Sequence, residues 1–269
     1  MSVKIIFSDI DGTFLTNDKS VTPLTAKATK NILDSGIKFA FVSARMPEAI
    51  YPLTENLKLP RTAVIAYSGA YVLDEGGKTL YDKKVPVVDA KNILSEMFSR
   101  WKDISVSCYA GHRWFTQNID ERIEKEIFNT DAFVEVENFE GLLEQNIIPN
   151  KIFVRGEPST CAEMEKVLGK IFDKLNVVRS APHLLEVMDK KVSKATGIEV
   201  LLKHYGFTKD EAIAFGDNYN DIEMLKYIPQ SVAMANAPDE IKKISAAVTD
   251  SNEDSGIYTY LVKVGLISE

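Results

Sequence analysis

The chain has few of the residues that mark several large classes of protein. Its 269 residues include only two cysteines, Cys108 and Cys161, which are too few for a disulfide framework and have no cysteine or histidine neighbour at metal-site spacing. No apolar run is long enough to span a bilayer, and the apolar part of the first residues is too short for a signal peptide. The formal net charge of -7 disfavours a nucleic-acid binder, which needs a basic face. We therefore expect a cytoplasmic protein with no membrane or nucleic-acid partner.

What is present fits a globular protein. Hydrophobic residues make up 45% of the chain and charged residues 26%, as in soluble proteins with a packed core. The length suits one large domain or two of ordinary size.

Apolar runs alternate with helical patterns in the first eighty residues and again near the C-terminal end. The runs "VKIIFS", "IKFAFVSA", "TAVIAYSGA" and "AIAFGD" lack the apolar–polar alternation of half-buried strands. Such runs, separated by helices, predict a parallel sheet covered on both faces. The first helix has clear end signals: Thr22 as N-cap, Pro23 at the first position and Gly36 as stop. Its stripe of Leu24, Ala28 and Ile32 is expected to pack on the sheet.

The middle of the chain has a different pattern. Segments such as "ISVSCYA", "RWFTQ" and "KIFVRG", and Val85 with Val87, alternate apolar and polar residues as antiparallel strands do. We expect an α+β domain at 83–188 inserted into an α/β domain made of 1–82 and 189–269.

Polar clusters stand at the ends of predicted core strands or at the helix starts beside them. They are Asp9 with Asp11, Ser43 with Arg45, Lys194, and the segment "FGDNYND" with Asp217, Asn218, Asn220 and Asp221. Each alone has an ordinary explanation, which is a turn or a helix cap for the aspartate, serine and "FGDNYND" clusters and a solvated side chain for Lys194. Together they have no such explanation, because ligands of parallel sheets collect at the carboxyl ends of strands.

The set has the chemistry of a magnesium and phosphate site. Asp9, Asp11 and Asp217 repel one another in a shared pocket unless a cation offsets their charge, and Mg²⁺ prefers such oxygen ligands. We expect Asp11 to contribute its backbone carbonyl, which leaves its carboxyl group free. Ser43 and Lys194 are expected to donate to phosphate oxygens, and Lys194 to keep Asp9 ionised.

Four motifs, "DIDGT", "SAR", the lysine of "SKATG" and "GDNYND", resemble those of the haloacid dehalogenase superfamily of phosphotransferases. The position of the insertion resembles its Cof-type branch, subfamily IIB, which has a C2-type cap. The resemblance implies a Rossmann-like α/β core with a parallel sheet covered by helices, plus an inserted α+β cap. The chain departs from the family pattern in having Ser-Ala-Arg for Thr-Gly-Arg, and "SGA" and "ANA" for Asn-Gly-Ala and Gly-Asn-Ala.

The resemblance also implies a mechanism. Asp9 is the expected nucleophile, which forms an aspartyl-phosphate, and Asp11 the expected general acid and base. Mg²⁺, held by Asp9, Asp11 and Asp217, would stabilise the transferring phosphoryl group together with Ser43 and Lys194.

Further residues have less direct expected roles. Ala44, Arg45 and Asn220 complete the expected phosphate site, although Arg45 has the alternative of holding the cap. Gly12, Thr13, Asn218 and Asp221 are expected to support these groups from outside, Asp221 by orienting Lys194 or a metal-bound water. In the cap, Tyr109, His112 and Arg113 are candidate readers of the leaving group.

The predicted function is therefore a Mg²⁺-dependent phosphatase for a small phosphate ester, a sugar phosphate or a related metabolite, acting as a monomer or small homo-oligomer. A phosphomutase of the same superfamily and a receiver-like phospho-acceptor module remain alternatives.

Overall fold

A computed structural model describes residues 2–130 and 132–268. The chain forms two compact units: the first comprises 2–45, 50–81 and 193–268, and the second comprises 46–49 and 82–192. None of the described helices combines the length and the apolar composition needed to cross a membrane.

The first unit is built on an eight-stranded sheet in the order β14-β13-β12-β1-β2-β3-β4-β5, with strands numbered along the whole chain. These strands are β1 (Ile5–Ser8), β2 (Lys38–Val42), β3 (Ala63–Ala66), β4 (Tyr71–Leu73), β5 (Thr79–Asp82), β12 (Ala212–Gly216), β13 (Gln230–Ala233) and β14 (Ala247–Val248). The helices of this unit are α1 (Pro23–Asp34), α2 (Tyr51–Asn56), α7 (Lys194–Tyr205), α8 (Ile222–Tyr227), α9 (Asp239–Ile244) and α10 (Gly256–Lys263).

Strand order reverses beside β1. The chain passes from β1 to β2 and β3 on one side, and β12 to β14 lie on the other. Strand β1 is parallel to both neighbours, with Ile5 opposite Ala212 and Lys38, whereas the β3–β4 pair is antiparallel. In such a sheet the ligand site lies outside the carboxyl ends of the strands at the reversal.

Both faces of the central strands are packed, as continuously apolar strands require. Ile5 and Phe7 face α7 and α8, while Phe14 packs against Phe41 on the other face with ring centroids 4.8 Å apart. The predicted α/β core with a parallel sheet is thus confirmed.

Helix α1 begins and ends as predicted. Thr22 accepts a hydrogen bond from the Thr25 amide, and Gly36 follows the helix with a φ of +83°. The predicted stripe is partly wrong: Ala28 and Ile32 are buried, but Leu24 is exposed. Thr25 and Thr29 fill the buried face instead, and Thr29 does so with its hydroxyl bonded to the Thr25 carbonyl.

The second unit contains a six-stranded sheet in the order β10-β11-β9-β6-β7-β8. Its strands are β6 (Ile104–Ala110), β7 (Arg113–Thr116), β8 (Val134–Val136), β9 (Lys151–Gly156), β10 (Leu175–Ala181) and β11 (Leu184–Asp189). Its helices are α3 (Val87–Arg100), α4 (Glu121–Thr130), α5 (Phe139–Glu144) and α6 (Pro158–Ile171). All its described pairs are antiparallel except β7–β8. The predicted α+β character of the insertion agrees with this sheet.

One local expectation in this region was wrong, and two strands were missed. Val87 does not continue a strand from Val85, because it begins α3 directly after Pro86. Strands β10 and β11 were not among the predicted segments. The domain boundaries at 83 and 188 remain a prediction.

Candidate active site

The site is assembled at the carboxyl end of β1. Asp9 follows that strand, and its backbone amide donates to the Phe215 carbonyl of β12 at 3.0 Å. This bond continues the parallel pairing of the two strands by one residue. Asp9 and Asp217 are therefore neighbours at the sheet edge, although they lie at opposite ends of the sequence.

Lys194 reaches this edge from the start of α7. Its ammonium donates to Asp9 Oδ1 and, at 2.6 Å, to Asp221 Oδ1, and its side chain is fully buried. Burial favours the neutral amine, but the carboxylates of Asp221 and Asp9 outweigh it and raise the pKa of Lys194 above its usual range. A buried cation paired with two carboxylates stays charged.

The start of α7 is fixed by a cap and by a close backbone approach. Ser193 is the N-cap, and its side chain accepts from the Thr196 amide in a capping box. Gly69 has a φ of +108°, and a Cβ atom there would lie 1.9 Å from the Ser193 carbonyl oxygen. Only glycine permits this contact, which places the "SGA" turn against the residue before Lys194.

Asp221 organises the loop after β12. Its Oδ2 accepts from the backbone amides of Asp217 and Asn218 at 2.9 and 3.0 Å, while its Oδ1 faces Lys194. Of the two roles left open by the sequence, orienting Lys194 is the one that this geometry supports. Asn218 caps the next turn by accepting from the Tyr219 amide at 2.8 Å, and Asn220 is exposed.

Gly12 and Thr13 contact Asp217 directly. The Thr13 hydroxyl donates to Asp217 Oδ1 at 2.7 Å. Gly12 has a φ of +85°, and a Cβ atom there would lie 2.4 Å from Asp217 Oδ2. The sequence predicted the turn at Gly12, but it did not predict that Gly12 and Thr13 contact Asp217.

Three carboxylates form a compact cluster. Asp9, Asp217 and Asp221 each offer an oxygen within 4.8 Å of the others. Burial raises the pKa of Asp9 well above its usual range despite Lys194, with Asp221 and Asp217 raising it further. Burial also raises the pKa of Asp217 to about 6, against the hydrogen bond from Thr13.

This donor set fits a small divalent cation. One oxygen of Asp9 accepts from Lys194 and one of Asp217 from Thr13, which leaves each carboxylate a second oxygen for a ligand. In Asp221, by contrast, one oxygen accepts from Lys194 and the other accepts from backbone amides. Asp9 and Asp217 are therefore the better placed ligands, and a bound cation would offset the burial and the repulsion that raise their pKa values.

The carboxylate of Asp11 lies outside this cluster. Arg45 donates to it through Nε and Nη2, at 2.8 and 2.6 Å, and Lys19 donates to Oδ1 at 2.8 Å. Burial raises the pKa of Asp11, but the two cations outweigh burial and lower it. The carboxyl group, which was expected to stay out of the metal's coordination, forms ion pairs here, and a metal role for Asp11 would rest on its backbone carbonyl.

The "SAR" segment follows the neighbouring strand β2. Ser43 is buried, and its hydroxyl accepts from the Arg45 amide at 3.2 Å. Its own amide donates to the Ile65 carbonyl of β3, which anchors the turn. Ala44 and Arg45 are half-buried. Ser43 and Arg45 therefore stand at the same sheet edge as Asp9.

The candidate readers of the leaving group belong to the second unit, and they do not share a face of its sheet. Tyr109 is buried and stacks on Trp114 with centroids 5.7 Å apart. Arg113 is exposed and pairs with Glu135 at 2.6 Å, and its guanidinium lies over Phe115 on the other face. His112 lies in the turn between β6 and β7 and contacts Glu48 at 2.6 Å.

Three residues of the site were missed by sequence reasoning. Lys19, which contacts Asp11, gave no signal in the sequence because an exposed lysine is nearly always solvated. Asn236 donates to the Gly12 carbonyl at 2.8 Å, and its "ANA" motif was a usable signal. Asn252 donates to the Leu15 carbonyl at 2.8 Å without any motif to mark it.

Comparison with known proteins decides the family. The sequence pattern that defines the family of haloacid dehalogenase-like hydrolases matches residues 6–261 of this chain. The chain belongs to this family.

The relatives of this haloacid dehalogenase-like hydrolase agree over almost the whole chain. A Haemophilus influenzae protein named "Putative phosphatase" is 30% identical over 260 residues, covering 96% of each chain. The crystal structure of a haloacid dehalogenase-like hydrolase from Bacteroides thetaiotaomicron is 26% identical, with a TM-score of 0.87 over 98% of this chain and 100% of that one. A structure described as the HAD subclass IIB sugar phosphatase BT4131 has a TM-score of 0.84 at 23% identity, over 98% and 100% of the two chains.

The predicted superfamily, its fold and its hydrolase class are thereby confirmed. The likeness to the subclass IIB structure is one of fold, since its identity is only 23%. Curated relatives of this family member are named putative phosphatases, and the chain carries an acidic cluster that could hold a metal ion.

Proposed function

We propose that this hydrolase is a Mg²⁺-dependent phosphatase of small phosphate esters that works through an aspartyl-phosphate on Asp9. The observation that carries the proposal is the junction of Asp9, Lys194 and Asp221, with Lys194 donating to both carboxylates. These residues come from three distant segments, and no fold requirement explains a buried lysine with two acids.

Asp9 is the proposed nucleophile. Each oxygen of an ionised carboxylate has two lone pairs. Oδ1, which accepts from Lys194, could therefore also bind the metal, while Oδ2 attacks phosphorus. Lys194 favours the ionised form of Asp9 against the burial that raises its pKa, and it sits where it can donate to a phosphate oxygen. Ser43, at the end of the neighbouring strand, is the proposed second donor, with Ala44, Arg45 and Asn220 as further phosphate contacts.

Asp9, Asp217 and the carbonyl of Asp11 are the proposed ligands of Mg²⁺. When bound, the ion would neutralise charge on the transferring phosphoryl group and on the carboxylates. Thr13 holds Asp217 in place through its hydroxyl, and Gly12 lets the backbone approach Asp217.

Asp11 is the proposed general acid for the leaving alcohol and general base for the water that follows. Arg45 and Lys19 hold its carboxylate ionised in this structure, which is the form that a base requires. Before Asp11 can donate a proton to the leaving group, its carboxylate must take one up from solvent. An incoming dianionic phosphate favours this step because it competes with Asp11 for Arg45.

The substrate class is a small phosphate ester, and we favour a sugar phosphate or related metabolite. The support is the fold shared with the subclass IIB structure named a sugar phosphatase. We propose that 83–188 is the cap domain, with Tyr109, His112 and Arg113 as candidates for contacts with the leaving group. A cytoplasmic location and a monomer or small homo-oligomer stay predictions from the sequence.

The Asp9→Asn variant tests the proposal with p-nitrophenyl phosphate as substrate. We expect turnover to fall by about 10³-fold or more, because the amide is a poor nucleophile. Asp34→Asn, on the exposed end of α1, is the matched control and should keep parental turnover.

A loss of less than about tenfold, equal to about 1.4 kcal/mol of barrier, would reject the role of Asp9. Phosphorus NMR of a sugar-phosphate reaction decides between the phosphatase and a phosphomutase, because only the phosphatase releases inorganic phosphate. Release of at most one equivalent by the parent protein would favour the receiver-like module.

A further inference from the structure

The loop that carries both catalytic aspartates is joined to two segments near the C-terminal end. Asn236 follows β13, and its Nδ2 donates to the Gly12 carbonyl at 2.8 Å. Asn252 precedes α10 and is buried, and its Nδ2 donates to the Leu15 carbonyl at 2.8 Å. The two side-chain amides therefore bind the backbone carbonyls of the residues that flank Thr13 and Phe14.

The two asparagines are also joined to each other. The Asn252 backbone amide donates to Asn236 Oδ1 at 3.2 Å. Asn236 thus uses its amide group in both directions, as a donor to Gly12 and as an acceptor from Asn252. The two contacts with the loop form one connected series, so a change in either residue is expected to affect both.

Hydrogen bonds within the loop mainly fix its amides. The Ile10 carbonyl accepts from the amides of Thr13, Phe14 and Leu15, and an isolated β-bridge pairs Asp11 with Leu15. The carbonyls of Gly12 and Leu15 receive side-chain donors from outside the loop, Gly12 in an exposed contact and Leu15 in a buried one. A buried backbone carbonyl such as that of Leu15 needs a partner of this kind. Asn236 and Asn252 are those donors.

The position of this loop matters for the chemistry. Gly12 touches Asp217, Thr13 binds it, and Asp11 lies one residue before Gly12. A small displacement of the loop would move the proposed acid–base group and the support of the proposed metal ligand together. Misplacement of about 1 Å at a reacting group costs on the order of 10²-fold in rate.

We propose that Asn236 and Asn252 are positioning residues that set the catalytic loop for phosphoryl transfer. They act through the Gly12 and Leu15 carbonyls rather than on the reacting carboxylates. This inference rests on the proposed function, because the rate it concerns is that of the phosphatase reaction.

The same C-terminal segment offers a matched control. Glu253 accepts from the Asn17 amide at 2.7 Å, in an exposed contact with the far part of the loop. Glu253→Ala therefore removes a contact of comparable length from the adjacent residue without freeing the Gly12 or Leu15 carbonyl. We expect its kcat to stay within about twofold of the parent.

The experiment compares Asn236→Ala, Asn252→Ala, the double variant and Glu253→Ala, with p-nitrophenyl phosphate as substrate. Each single asparagine variant should lower kcat by about 10- to 100-fold, with KM within about threefold because Ser43 and Lys194 are untouched. The double variant should be no more than about threefold slower than the slower single variant, since the two residues act in series.

Amide hydrogen exchange of the same proteins gives a readout that does not depend on activity. Peptides covering 9–17 should exchange faster in Asn236→Ala and Asn252→Ala, while peptides covering β12 should be unchanged. Because Asn236 is exposed, Asn236→Ala tests the inference even if Asn252→Ala does not fold.

The inference is overturned if Asn236→Ala keeps kcat within about twofold of the parent, if Glu253→Ala is equally slow, or if exchange in 9–17 is unchanged. A parent protein without phosphatase turnover would instead refute the proposed function. The exchange data would then still decide whether the asparagines order the loop.

Discussion

Asp9 and Lys194 form a buried ion pair in the described site. Burial and the neighbouring Asp221 and Asp217 raise the pKa of Asp9, while Lys194 lowers it. The lysine thus counters the environment that would otherwise protonate the proposed nucleophile. Replacing it would leave buried acids without a cation, which is costly whatever the chemistry.

The Asp11→Asn variant is expected to separate the phosphorylation of Asp9 from the hydrolysis of the aspartyl-phosphate. p-Nitrophenolate leaves without a proton, so Asp9 can still be phosphorylated, but attack by water needs the base that asparagine cannot supply. We expect stopped-flow absorbance to show a burst of up to about one equivalent, followed by turnover at least about 10²-fold slower. Linear release at the parental rate would contradict the assignment of Asp11.

Some residues of the site could be predicted from the sequence and others could not. Asp9, Lys194 and Asp217 stand at ends of apolar strands or at a marked helix start, so topology alone predicts their meeting. The pairing of Lys19 with Asp11 was not predictable, because it depends on a backbone turn with a φ of +65° at Lys19. Asn252 was missed for a similar reason, since its partner is a backbone carbonyl.

Among the elements, the start of α7 depends on the turn at Gly69. Gly69→Ala places a methyl group against the Ser193 carbonyl and should lower the free energy of unfolding by about 3 kcal/mol or more. Gly36→Ala is the matched control, because Gly36 also has a positive φ but, apart from its two chain neighbours, no described residue comes within 4 Å of where its Cβ would be. It should cost about 1 kcal/mol.

Urea unfolding of the two glycine variants measures the difference, and turnover of the Gly69→Ala protein reports displacement of Lys194. Equal losses of stability in both variants would show that the contact with Ser193 does not constrain α7. Parental turnover in Gly69→Ala would show that Lys194 does not depend on this turn.

The elements themselves were predictable to different degrees. Buried parallel strands such as β1 and β12 have continuous apolar runs, and α1 has both end signals, so their positions follow from the sequence. Strands β10 and β11 are harder to predict from the sequence. The second half of β10 is mostly exposed and polar, so it lacks the pattern of a buried strand. The predicted burial of Leu24 was wrong because Leu24 lies near the start of the helix, at the edge that faces solvent. Thr25 and Thr29 occupy the buried face there.

For the whole molecule, the carboxylate cluster is a cost to stability that the proposed metal would relieve. Burial raises the pKa of Asp217 to about 6, so the folded protein binds a proton that the unfolded chain has released. Without metal, stability should therefore fall as pH rises from the ordinary value of 3.8 to about 6. Asp217→Asn removes this penalty.

We expect Asp217→Asn in EDTA at about pH 7.5 to be more stable than the parent by about 1–3 kcal/mol. Added Mg²⁺ should raise the melting temperature of the parent and raise that of Asp217→Asn much less. Calorimetry at about pH 4 and pH 7.5 measures both effects. A variant that is less stable than the parent in EDTA, or an equal Mg²⁺ shift in both proteins, would contradict the assignment of Asp217.

The central claim is that the carboxylate of Asp9 attacks phosphorus, and chemical trapping tests it most directly. Borohydride reduces an acyl phosphate to an alcohol, so quenching the enzyme during turnover should convert Asp9 to homoserine, which peptide mass spectrometry detects. We predict homoserine at position 9 only when substrate is present, and more of it in Asp11→Asn. Homoserine at another carboxylate, or none at position 9 during active turnover, would contradict the account.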